Sequence, residues 1–169
     1  PFESYEEAWN DCFRQVFLEM GLSGDPEEAT RLCIQRLGQR PIYPDALPTL
    51  DGLYGRLRMG ILSNSDASFF YPLLKYHGIG PQFAAVLCSE DARAYKPHPS
   101  LFRQLLKRLG VSPEEALQVG DTLREDVLGA KLIGMKTAWV NRSGSPGDPV
   151  LPRPDYEVRS LIELLDILT

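Results

Sequence analysis

Val119-Gly120-Asp121-Thr122-Leu123-Arg124-Glu125-Asp126 joins a short apolar run to a segment punctuated by Gly129 and Ala130. Read as strand, turn and helix, it aims acidic side chains at one strand end: Asp121 follows the strand directly, and Asp126 lies a turn into the helix. Hard oxygen ligands so placed suit a divalent cation, since Mg²⁺ takes one or two protein carboxylates and fills its shell with water and phosphate oxygens. Glu125 competes with Asp126 for the second acidic position. Acids in a first helical turn also favour the macrodipole without any ligand, so the reading depends on what else reaches the same edge.

Working outward, short apolar runs alternate with helical patterns. Strands are predicted at Met59 to Leu62, Ala85 to Cys88, Leu117 to Val119 and Thr137 to Val140, with a weaker one near Tyr156 to Val158. The helix carrying Leu101, Phe102, Leu105, Leu106 and Leu109 stops at Gly110, and Ser112-Pro113-Glu114-Glu115 then starts another. Such alternation predicts an α/β fold, an open parallel sheet with crossover helices. Gly129 and Ala130 are small enough to let their helix pack closely on that sheet.

The first forty residues differ in texture. Ser4-Tyr5-Glu6-Glu7 has the form of a capping box, and Tyr5, Ala8, Trp9, Cys12, Phe13, Val16, Phe17 and Met20 recur at helical spacing. That stripe reads as core or as the surface of a cap. Asp25-Pro26-Glu27-Glu28 opens a second helix that stops at Gly38, and Pro41, Pro44 and Pro48 then break the chain. The boundary falls near residue 41, giving a helical hairpin over 1–40 and an α/β unit over 41–169.

Composition bounds the function. With 43% hydrophobic and 24% charged residues the chain is an ordinary globular protein. A net charge of −5 without a basic stripe argues against a nucleic-acid partner. No apolar run approaches the ~18 residues of a membrane span, and no charged-then-apolar leader precedes a cleavage site. Cys12, Cys33 and Cys88 are odd in number and widely spaced among apolar residues, which predicts reduced thiols and a cytoplasmic location.

In open parallel sheets ligands gather at the carboxyl ends of strands. Two further segments belong there. Gly60-Ile61-Leu62-Ser63-Asn64 ends an apolar run in a hydroxyl and an amide that can donate to a phosphoryl oxygen. In Tyr95-Lys96-Pro97 the proline biases Lys96 toward extended backbone, which aims a compact cation suited to phosphate. Asp66, Glu90 and Asp91 also follow strand ends, but loop carboxylates are mostly solvated.

Hydroxyl, lysine and acid pair, in that order, resemble the haloacid-dehalogenase (HAD) superfamily of phosphohydrolases, specifically subfamily I, with a helical cap. The resemblance implies a Rossmann-like core with a partial helical cap. It implies a Mg²⁺-dependent phosphatase acting on a small phosphorylated metabolite through a phosphoaspartyl intermediate. Ser63 and Lys96 would be catalytic, Ser63, Asn64 and Lys96 phosphate-binding, and Asp121 and Asp126 metal-binding.

One family motif is missing. The family opens on a strand ending Asp-x-Asp-Gly-Thr, whose first Asp attacks phosphorus, and this sequence, beginning at Pro1, has no match to it. The expectation is a truncated form, a core lacking its first strand, inactive as it stands. The alternative is a catalytically inactive HAD-fold binding or regulatory protein. A haloacid dehalogenase proper is a third reading, but that chemistry uses no metal and would leave the acid pair idle. The absent central strand should leave an open edge beside the strand ending at Ser63. Such an edge invites rearrangement, another chain or strand exchange in a homodimer.

Overall fold

The computed structural model describes residues 2–168; Pro1, where the sequence begins, lies outside them. Helix α1 (Tyr5–Met20) starts at a capping box: the Glu7 amide donates to Ser4 Oγ at 3.2 Å and the Ser4 amide to Glu7 Oε2 at 2.8 Å. Helix α2 (Pro26–Leu37), capped by Asp25 on the Glu27 amide, packs back on α1 to form the hairpin. The apolar stripe of α1 is less covered than its pattern predicts. No residue of α1 is buried, and Val16 and Met20 are 41% and 68% exposed. The start of the stripe meets the α/β unit, where Tyr5 and Trp9 pack on Phe69 with ring centroids 6.3 and 5.8 Å apart.

The α/β unit follows the predicted order. Helix α3 (Ala46–Leu53) leads to β1 (Gly60–Ser63), α4 (Ala67–Tyr76), β2 (Ala85–Cys88), α5 (Ser89–Ala92) and α6 (Pro99–Leu109). Then come β3 (Leu117–Gly120), a π-helical turn (Leu123–Leu128), α7 (Gly129–Lys131), β4 (Lys136–Val140), β5 (Tyr156–Val158) and α8 (Leu164–Leu168). Two expected helices are shorter than their signatures. Ser112-Pro113-Glu114-Glu115 makes a single 3₁₀ turn, and the segment after Asp121 begins as the π turn, with Thr122 O accepting from both the Asp126 and Val127 amides.

All strand pairing is parallel, in two groups. β1 pairs with β2 and β3 pairs with β4, which pairs with β5. Among the described residues no ladder joins β1 to β3. Helix α6 spans the two groups instead. Its Leu101, Leu105 and Leu109 pack on Leu87 of β2, while Phe102 and Leu106 pack on Ala130 and Met135. Gly129 and Ala130 permit close approach as expected, to β4 of the sheet and also to α6: a Cβ on Gly129 would lie 2.5 Å from the Phe102 ring. Leu62 of β1 touches both clusters, so one helix holds both groups of strands to a common core.

The segment that joins hairpin to core is clamped at its far end. Asp45 accepts from Arg142 Nη1 and Nη2 at 2.8 and 3.0 Å, from Ser160 Oγ at 2.6 Å and from the Leu161 amide at 2.7 Å. The Arg142 guanidinium also lies 4.0 Å over the Tyr43 ring. Arg142 above all, with Ser160 and Leu161, holds the Asp45 carboxyl well below the usual carboxylate range despite its partial burial. We expect Asp45→Ala to lower the unfolding free energy by about 2 kcal/mol in urea titrations at neutral pH. Because the folded pKa is depressed, the contribution is complete above the unfolded value of about 4 and fades as pH falls through the folded one. The gap between wild type and variant should therefore close in acid; a gap that widens there would contradict the clamp.

Candidate active site

The carboxyl ends of β1 and β3 lie on either side of the missing ladder, and a polar network crosses between them. Asn64, one residue past β1, accepts from the Lys96 amide through Oδ1 at 2.7 Å. Its Nδ2 donates to Lys96 O and to Glu125 Oε2, both at 3.2 Å. Lys96 is thus held by its own backbone, and its side chain runs to the β3 side, where Nζ lies 2.7 Å from Asp126 Oδ1. The two side chains are only 11% and 4% exposed.

Asp126 is saturated. Besides Lys96, Gln118 Nε2 donates to Oδ1 at 3.2 Å, and Thr122 donates to Oδ2 through its amide at 3.2 Å and its hydroxyl at 2.8 Å. Four donors on one carboxylate explain how a charge can sit so far from water. The fit requires glycine at position 120, because a Cβ there would overlap the Asp126 carboxylate.

Asp121 contrasts with it. Its carbonyl accepts from Trp139 Nε1 at 3.0 Å, which pins the backbone at the end of β3. Its side chain is exposed, and among the described residues its carboxylate accepts no hydrogen bond. Ser63 is half-buried at the end of β1, in a turn fixed by Ser89: the Ser65 amide donates to Ser89 Oγ, and that hydroxyl donates to Ser65 O, both at 2.9 Å. The network thus joins Asn64, Lys96, Glu125 and Asp126 by direct contact, while Ser63 and Asp121 stand at its two margins. Among the described residues no three His, Cys, Asp or Glu side chains gather as a ready metal cage. A cation at Asp121 would therefore depend on water and substrate oxygens for the rest of its shell.

Asp66 is the residue that sequence reasoning misplaced. Expected as a solvated loop acid, it is 1% exposed and accepts from the Tyr5 and Glu6 amides at 3.1 and 2.8 Å. The signal was non-local, since its partners lie about sixty residues away. The Tyr5 phenol beside it is pushed up, by burial first and then by the Glu125 and Asp66 carboxylates, so it stays protonated. A cleft of about 730 Å³ lies elsewhere, lined by Tyr71, Leu74, Phe83, Val86 and Arg108 at the β2 edge. It contains none of these site groups.

A family profile described as haloacid dehalogenase-like hydrolase matches residues 2–134. The chain belongs to this family. Like other HAD-like hydrolases, it resembles both phosphatases and dehalogenases. It is 37% identical to a phosphoserine phosphatase of Thermus thermophilus over 93% of this chain and 66% of that protein. It is 32% identical to haloacetate dehalogenase H-2 of a Moraxella species over 91% of this chain and 68% of that one. The solved structure of the putative HAD-hydrolase YfnB from Bacillus subtilis, bound to magnesium, superposes with a TM-score of 0.85 at 28% identity, covering 99% of this chain and 74% of that chain. The chain spans 66% of the Thermus phosphatase and 54% of the human N-acylneuraminate-9-phosphatase.

The burial of the Lys96–Asp126 pair sets its energetic weight. Lys96→Met leaves Asp126 buried without its cation, and we expect a loss of about 3 kcal/mol in unfolding free energy. Adding Asp126→Leu should restore part of it. A loss below about 0.5 kcal/mol from the single substitution would mean that the pair is effectively solvated.

Proposed function

We propose that the complete protein is a Mg²⁺-dependent phosphomonoesterase that acts on a small phosphorylated metabolite through a phosphoaspartyl intermediate. One observation carries the proposal: the Ser63 hydroxyl at the end of β1 and the Asp121 carboxylate at the end of β3, which accepts no hydrogen bond, flank a buried ammonium, Lys96, that bridges the two sides through Asn64 and Asp126, and among the described residues no ladder joins β1 to β3. A strand seated between β1 and β3 would bring an attacking carboxylate among them. The shorter span of this chain relative to its relatives agrees with such a strand belonging to the whole protein.

Each residue has a distinct task in this reading. Ser63 and the Asn64 turn donate hydrogen bonds to the phosphoryl oxygens, and Lys96 balances their charge against the nucleophile. Asp126 holds Lys96 in place and, with all its acceptor positions occupied, would meet a metal only through water. Asp121 would hold Mg²⁺, which supplies neutralisation of charge as the phosphoryl group moves.

A second reading, a haloacid dehalogenase, has the similarity to the Moraxella enzyme in its favour. Against it stands the exposed Asp121 carboxylate, which would repel the carboxylate of a halogenated acid; the Arg142 charge that it feels is already bidentate on Asp45. We expect the gene-encoded protein to release phosphate from p-nitrophenyl phosphate with Mg²⁺ and to lose the activity in EDTA. Asp121→Asn should lower the rate about a hundredfold. Chloride release from monochloroacetate in EDTA would establish the dehalogenase instead, and neither activity would leave a binding protein.

A further inference from the structure

Asp66 has an arrangement that its position in sequence does not call for. It precedes α4, yet its side chain makes no cap bond to that helix, and the Ala67 amide donates to Glu90 Oε2 at 2.8 Å instead. The carboxylate reaches the start of α1, and the donors there divide completely. Glu7 takes the Ser4 amide, Ser4 takes the Glu7 amide, and Asp66 takes the two between them, on Tyr5 and Glu6. The first turn of a helix leaves such amides without intrahelical partners. A carboxylate 1% exposed, with no cationic side chain paired to it among the described residues, is compensated by those two amides and by the dipole of a 16-residue helix.

The same start of α1 meets the second loop of the site. Tyr95 Oη donates to Glu3 O at 2.7 Å, and the Tyr95 and Phe2 rings stack at 4.9 Å, one residue before Lys96. The hairpin is therefore fixed at two places of different kind. Its exit is clamped at Asp45, and its entry is held to the site by the Asp66, Tyr95 and Phe2 contacts.

We propose that Asp66 is a positioning residue that ties the first turn of α1 to the phosphate-binding turn at Ser63 and Asn64. The proposal rests on the phosphatase reading for its kinetic consequence but not for its structural one. With the tie intact, the Tyr5 phenol stands within reach of the Glu125 charge and against the Tyr95 ring, as one wall of the site. Without it, the first turn of α1 loses its hold on the turn at Ser63 and Asn64, while the Asp45 clamp at the exit of the hairpin is untouched.

Amide hydrogen exchange and kinetics on the gene-encoded protein test this together. Asp66→Ala should raise exchange at Tyr5 and Glu6 about tenfold, the loss of a helix cap, and leave Ile61, Leu62 and Val86 unchanged. Asp66→Asn keeps one acceptor oxygen and should recover part of the protection. For p-nitrophenyl phosphate, KM should rise about tenfold and kcat stay within about twofold, since Lys96 and Asp121 remain. Unchanged exchange at Tyr5 and Glu6, or a uniform rise through β1 and β2, would overturn the positioning role. A wild-type protein inactive on p-nitrophenyl phosphate would remove the phosphatase reading, while the exchange result would still decide the role of Asp66.

Discussion

The Lys96 ammonium and the Asp126 carboxylate, 2.7 Å apart and nearly out of water, hold together two parts of the molecule that no strand pairing joins among the described residues. On one side stands β1, reached through Asn64, which binds both the amide and the carbonyl of Lys96. On the other stands β3, reached through Gln118 and Thr122 on Asp126. Beneath them α6 supplies the apolar part of the same bridge. Removing either charge alone would strand the other in a site built to exclude water, so the pair fixes geometry whatever its net contribution to stability.

From that constraint the local backbone follows. A carboxylate that must sit against the end of β3 leaves no room for a side chain on Gly120, and the chain turns back through a π turn that aims both the amide and the hydroxyl of Thr122 at Asp126. π turns recur at functional sites because the extra residue redirects a side chain. Here it separates two acids that are close in sequence. Asp126 turns inward to the lysine, and Asp121 stays at the surface with its carboxylate unclaimed. A site for a charged ligand needs this division, with one acid to hold the machinery and one to offer to a cation.

Much of this was legible in the sequence because it is local. Strand limits are read from short runs of strand-forming residues, and Ala85 to Cys88 and the weaker run near Tyr156 to Val158 agree with the observed strands. Gly129 and Ala130 advertise close packing by their size, which serves the sheet at β4 as expected, but size alone does not disclose the second partner, α6. The stripe on α1 has the period of a buried helix without the neighbours to bury it, since periodicity reports a face and not what covers it. Asp66 was illegible for a related reason. A carboxylate in a loop after a strand reads as solvated, and only the tertiary fold brings the start of α1 within reach.

The similarity to both phosphatases and dehalogenases is understandable from the same parts. A hydroxyl, a lysine and an apolar scaffold serve any carboxylate nucleophile, and the choice between leaving groups depends on what stands at the end of β3. An unpaired acid there favours a metal and a phosphate. The most direct measurement is a map of amide chemical-shift changes in the gene-encoded protein on adding inorganic phosphate with Mg²⁺. Changes concentrated at Ser63 to Ser65, Lys96, Asp121 and Thr122 are what the account predicts. A silent set of strand ends, or changes confined to the apolar cleft of Tyr71, Leu74 and Phe83, would contradict it.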